Sequence, residues 1–168
     1  MSNNKKIIIN DKHTLDILTT KKENRVRCGA NRMEYDHEQT MKMISNVDLP
    51  QSNNYEEMIK KAIGQKLNGY KHQDTKKNTY NITTMITIQE AKQKLIDCNI
   101  MCHYCNKPVK IIYRIVRDPM QWTLDRIDNK KNHSNSNTII SCLSCNLKRR
   151  NINKDKFEFS KNINIVKV

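Results

Sequence analysis

Residues Gln121–Asn146 read QWTLDRIDNKKNHSNSNTIISCLSCN, and the fold turns on this stretch. It closes on a Cys142-x2-Cys145 pair, and a matching Cys102-x2-Cys105 pair, "CHYC", precedes it. Two thiolates spaced this way on a tight turn face one ion, and two such turns complete a tetrahedral, closed site. The spacing therefore predicts a structural zinc held by Cys102, Cys105, Cys142 and Cys145. Four cysteine ligands leave no open coordination position, so the ion ties the segment together and does no chemistry. His103, inside the first knuckle, reads as a surface residue or a neighbour of the ligands.

Between the knuckles the chain must make a short excursion. "KIIYRIV", Lys110–Val116, is strand-like in its β-branched and aromatic content, and "RDP" breaks it. "QWTLDRI" alternates as a second strand, with Trp122, Leu124 and Arg126 on one side and Thr123, Asp125 and Ile127 on the other. "DNKKNHSNSN" is a polar loop without Gly, where Asn takes the strained turn positions. "TII", Thr138–Ile140, returns as a strand. "LSCNLKRRN" then reads as a helix carrying Lys148, Arg149 and Arg150. The predicted class is α+β, a small ββα motif stapled by a four-cysteine zinc site and preceded by one or two helices.

Charge points to the partner. The chain of 168 residues holds 31 Lys+Arg against 17 Asp+Glu, a formal net charge of +14. Residues 101–168 carry 14 of the basic groups and 5 of the acidic ones. This balance implies a polyanionic partner, most often nucleic acid; a basic surface with no specific partner is the plainer reading. Hydrophobic residues make up 36% of the chain, a thin supply for a large core, so a metal staple would help it fold. Ile7–Ile9 is too short for a secretory h-region and no stretch approaches a membrane span, so the chain reads as intracellular and not secreted. Paired cysteines there favour metal over disulfide.

Residues 1–50 lack a sustained period and read as an N-terminal extension, partly ordered or docked in pieces. Cys28, His13 and His37 have no partner at ligand spacing. Residues 51–99 read as a helical lead-in. Asn53 and Glu56 form a box-like start, Tyr55, Met58, Ile59, Ala62, Ile63 and Leu67 follow helical spacing, and Asn68-Gly69 stops the helix. "YKHQDTKKNTYN" follows as a polar connection whose Lys71, Lys76 and Lys77 are solvated or touch phosphate. Thr87 and Glu90 form a capping box for a second helix, which ends near Cys98 and delivers the chain into "CHYC". Residues 100–153 form the stapled unit. Residues 154–168 are a tail, and "FEFSKNINIVKV" alternates enough to add an edge strand.

"CHYC", "WTLDRIDN", "NHSNSNTIISC" and "CLSCNLKRR" together resemble the HNH, or His-Me finger, endonuclease family. The variant is similar to a zinc-knuckle subgroup found in phage and large-DNA-virus proteins. The resemblance spans roughly residues 70–150. It implies a ββα-metal site that hydrolyses DNA phosphodiesters with one divalent ion, Mg²⁺ or Mn²⁺. By position, Asp125 and Asn146 match the ligands of that ion, and Asn137 matches the Asn that orients the general base. The family's basic His falls on Arg126. A guanidinium stays protonated in proteins, so Arg126 cannot be that base, although it can grip phosphate. His133, the only His in the loop between the strands, is the candidate to take the proton; a metal-bound hydroxide is the other route, and a loop brace is the plainer role for His133. Asp128 reads as a further ligand or a turn cap. Asp125 has its own plainer roles, a salt bridge to Arg126 or Arg114, or a strand-end cap. Lys148, Arg149 and Arg150 would neutralise flanking phosphates. Trp122 stacks on a base or is buried in the hairpin.

Three functions follow: a metal-dependent DNA endonuclease, a lapsed zinc-stabilised DNA-binding protein of the same fold, or a virion or assembly module. Cutting both strands would suit a homodimer.

Overall fold

A computed structural model describes residues 25–26, 35–45 and 55–162. In chain order the elements are α1 (His37–Ser45), α2 (Tyr55–Lys76), α3 (Ile88–Asp97), β1 (Trp122–Arg126), β2 (Thr138–Cys142), α4 (Leu143–Arg149) and α5 (Lys154–Asn162). The class is mixed α+β, with one two-stranded antiparallel sheet among the described residues. One cluster of buried residues runs from Met43 and Ile44 of α1, through Ile59, Ile63 and Leu67 of α2, to Trp122, Cys142 and Phe157.

The sequence explains α3 directly. Thr87 accepts the Glu90 backbone N–H and Glu90 reaches back to the Thr87 N–H, so the capping box forms as expected. The helix does not run straight into the knuckle. Asn99 and Ile100 both take positive φ, 50° and 53°, and turn the chain there. Ile100 is strained by this, being β-branched. Its full burial holds it in place.

The second helix departs from expectation. α2 passes through Asn68-Gly69 and ends only at Lys76, so more than half of the presumed connection is helical. Its buried stripe continues in steps of three and four from Leu67 to Tyr70 and Asp74. The proposed Asn53 cap lies outside the described residues, as do His13 and Cys28. Of the N-terminal region, α1 docks Met43 and Ile44 into the core, and Val26 bridges to Ile115.

"KIIYRIV" is not a strand. Lys110 pairs at one end, donating its N–H to the Met120 carbonyl and accepting from Trp122 N–H, while its ammonium reaches Asp118 at 3.1 Å. These bonds close residues 110–122 into a loop; within Ile111–Val116 the pairing among the described residues is one isolated bridge, Ile115 to Val26, with Val116 N–H donating to the Arg25 carbonyl. The tail also differs. Phe157–Asn162 belongs to α5, started by Asn153, whose side chain accepts the N–H groups of Asp155 and Lys156. The rest of the tail, residues 163–168, lies outside the described residues. The polar loop 128–137 has no left-handed residue; among the described residues the left-handed Asn are 78, 99 and 106.

The hairpin matches the reading, with Trp122 opposite Cys142 and Arg126 opposite Thr138. All five residues of β1 are buried, so both of its faces are covered. The free edge of β1 is managed by side chains. Trp122 carbonyl accepts from Lys66, Leu124 N–H donates to the Tyr70 hydroxyl at 2.9 Å, and Arg126 carbonyl accepts from Arg149 at 2.8 Å. Such an edge would otherwise present unpaired polar groups. α4 follows β2 without a linker, and Arg150 ends it at φ 49°.

Candidate functional site

The four knuckle cysteines converge. The ligand atoms of Cys102, Cys105, Cys142 and Cys145 lie within 4.8 Å of one another, so they form a cluster able to hold a metal ion. The first knuckle is a tight turn: Asn106 N–H donates to the Cys102 carbonyl, and Asn106 takes φ 50°. His103 N–H donates to the Ile140 carbonyl and joins this knuckle to β2. The second knuckle is the β2–α4 junction, where Cys145 N–H donates to the Cys142 sulfur at 3.4 Å. His103 stays outside this cluster, pairing with Glu158 of α5.

A second locus lies along the free edge of β1. A cavity of about 450 Å³ opens there between α2 and α4, and Arg126, His133, Asn146 and Arg150 line it. Sequence reasoning singled out all four residues, and the fold brings them together. His133 is 3% exposed, and its ring stacks on Tyr70 with centroids 4.5 Å apart. Its Nδ1 meets Asp74 Oδ1 at 2.8 Å, and its backbone N–H donates to Asp74 Oδ2 at 2.8 Å. Asp74 is fully buried. Nδ1 therefore carries the proton, and Nε2 has no hydrogen-bond partner among the described residues. Burial lowers the His133 pKa, helped by Arg126 and Lys77 and opposed by Asp74. The ring is thus neutral near pH 7 and able to accept a proton.

Asp74 is the site residue that sequence reasoning missed. Its signal was present in the stripe Ile59, Ile63, Leu67, Tyr70, Asp74. Reading Asn68-Gly69 as a stop hid it.

Arg126 is 8% exposed. It donates to the Lys131 carbonyl at 3.2 Å and stands 3.6 Å from Asp74 Oδ1. Asn137 braces the loop and does not touch the imidazole. Its side chain accepts from Asp128 N–H and donates to the carbonyls of Asp128 and Asn132. Asp128 caps the turn by accepting Lys130 N–H. Trp122 is fully buried, in line with its hairpin reading.

Two expectations need correction. Arg149 is not a surface cation beside Lys148 and Arg150. It is 1% exposed and donates to Asp125 Oδ1 at 2.6 Å and to the carbonyls of Arg126 and Ile127. The seven-residue helix turns position 149 inward, whereas Lys148 and Arg150 are exposed. Asp125 pairs with Arg149 and not with Arg126 or Arg114. Its other oxygen accepts the Tyr104 hydroxyl at 2.6 Å. Burial raises the Asp125 pKa against the pull of both donors. Asn146 spends its amide N–H on Thr123 at 3.1 Å. A divalent ion such as Mg²⁺ needs near-octahedral oxygen ligands and keeps several waters. Asp125, 3% exposed with both oxygens bonded, does not fit that role.

No family model, curated protein or solved structure matches this chain. No helix among the described residues is long and apolar enough to cross a membrane.

Proposed function

We propose that this chain hydrolyses phosphodiester bonds of nucleic acid, with DNA the expected substrate, in the cavity along β1. The observation that carries the reading is the Asp74–His133 pair beside Arg126 on the wall of one cavity. Asp74 fixes the tautomer and leaves Nε2 basic, the relation by which a buried carboxylate orients a catalytic imidazole. His133 takes a proton from water, the water oxygen bonds to phosphorus, and one P–O ester bond breaks. The departing oxygen leaves with a proton from solvent. Arg126 stays cationic and stabilises the charge that grows on the phosphoryl oxygens. The exposed Lys148 and Arg150 hold flanking phosphates.

The frame supports the same reading. A hairpin followed at once by a helix, with two knuckles joined through sulfur, is the arrangement that the likeness to His-Me finger nucleases implies. The ion of the knuckles is zinc on this reading. Zn–S bonds of about 2.3 Å in a tetrahedron put sulfurs roughly 3.8 Å apart. Cys105 and Cys142 stand at 4.0 Å.

A second reading, DNA binding without cleavage, is favoured by the Asp125–Arg149 pair, which fills the place expected of an ion ligand. Plasmid nicking by the zinc-loaded full chain separates the two. Cleavage by wild type that falls on the order of 100-fold or more in His133→Ala is expected for a general base. Wild type that binds DNA but never nicks it, with or without added Mg²⁺ or Mn²⁺, selects the binding protein.

A further inference from the structure

We infer that the guanidinium of Arg149 is the resident cation of this centre, and that Asp125 holds it in place of a divalent metal ion. Asp125 sits at the end of β1 on α4's side of the hairpin, where it meets Arg149 and Tyr104. Four hydrogen bonds hold the pair, although Asp125 borders the cavity along β1. Nη1 of Arg149 bridges Asp125 Oδ1 and the Arg126 carbonyl, Nη2 bonds the Ile127 carbonyl, and Tyr104 caps Oδ2. Tyr104 is itself fixed from behind by Phe157 of α5, at 4.9 Å between ring centroids. An incoming Mg²⁺ would have to displace a buried guanidinium from Asp125 Oδ1 or strip the Tyr104 bond from Oδ2. The carboxylate is already neutralised by a cation that cannot lose its proton.

The arrangement has a second effect. By bonding the carbonyls of Arg126 and Ile127, Arg149 fixes the strand end that presents Arg126 to the cavity. The guanidinium therefore shapes the site without touching phosphate. This inference deepens the hydrolase reading and rests on it only for the chemistry: cleavage at Arg126 and His133 proceeds with no divalent ion at Asp125.

The test uses the zinc-loaded full chain and two readouts. In the first, Mn²⁺ is titrated into isotopically labelled wild-type protein and amide signals are followed by NMR. Signals of Asp125 and Asn146 are expected to broaden no more than those of distant exposed residues. Selective broadening at Asp125 and Asn146 at low Mn²⁺ would overturn the inference, and no variant is needed to read it. In the second, DNA cleavage is measured in metal-depleted buffer with and without added Mg²⁺. The rate is expected to be unchanged within about twofold; a strict requirement for Mg²⁺ overturns the inference and leaves the nuclease reading standing. Absence of cleavage in both buffers defeats the nuclease reading, and the Mn²⁺ titration still decides what Asp125 holds.

Discussion

At the scale of single residues, the hydrolase reading rests on the difference between Asp74 and Asp125. Both are buried aspartates beside arginine. Asp74 spends both oxygens on His133, whereas Asp125 spends its own on Arg149 and Tyr104. One orients an imidazole and the other a guanidinium. The His133 pKa lies below its ordinary 6.5, with burial the main cause and Asp74 the main opposing influence. Cleavage should therefore rise with pH through a limb below 6.5 and then level off. Asp74→Asn removes the charge that raises the pKa, so the limb should move to still lower pH while the plateau rate falls. The pH–rate profile of the two proteins checks this; a fall in rate with an unmoved limb would mean that Asp74 only supports the fold. The same shift acts on stability. The unfolded imidazole binds its proton near 6.5 and the folded one binds it at lower pH, so stability falls as pH drops through that interval. His133 was legible in the sequence as the loop's only histidine. Its partner was not, because the pairing joins residues 59 apart in the chain.

At the scale of elements, α2 shows what local signals hide. Asn68-Gly69 is a helix-stopping pair by propensity, yet tertiary packing carries the helix past it. Ile63, Leu67 and Tyr70 bury their side chains against the core, and Asp74 gains two bonds from His133, which outweigh the cost of one glycine. That cost is measurable. A Cβ added at Gly69 meets nothing within 4 Å. Gly69→Ala should stabilise the chain by about 0.5–1 kcal/mol through helix propensity and reduced unfolded-state entropy. Urea unfolding, read at constant slope, checks the sign; a destabilised variant would mean that Gly69 has a conformational role absent from this geometry. The knuckles, by contrast, were legible in full, since Cys-x-x-Cys spacing encodes its own turn. The strand at Lys110–Val116 failed for the opposite reason. Its β-branched content satisfied propensity, but among the described residues it finds only the single bridge of Ile115 to Val26 and no continuous partner strand.

At the scale of the whole molecule, charge and burial must be separated before a binding surface is drawn. The net +14 was plain from composition, but composition does not say which cations face solvent. Arg149 sits among exposed basic neighbours in the chain, yet it is 1% exposed and tied to Asp125. Lys148 and Arg150 remain exposed, and Arg150 lines the cavity. Each phosphate contact made by such a side chain releases counterions and steepens the fall of affinity with salt by about 0.9 per contact on duplex DNA. Lys148→Ala and Arg150→Ala should each reduce the slope of log affinity against log salt by about 1, with little change in folding. Arg149→Met should behave in the opposite way. It should leave Asp125 buried without its counter-charge and destabilise the chain by about 3–5 kcal/mol, a large share of a typical domain's 5–15 kcal/mol. At temperatures where that variant stays folded, its salt slope should match wild type. DNA titrations at several salt concentrations, paired with thermal unfolding of each variant, measure both quantities. A reduced slope in folded Arg149→Met would place that guanidinium on the phosphate backbone and return it to the binding surface.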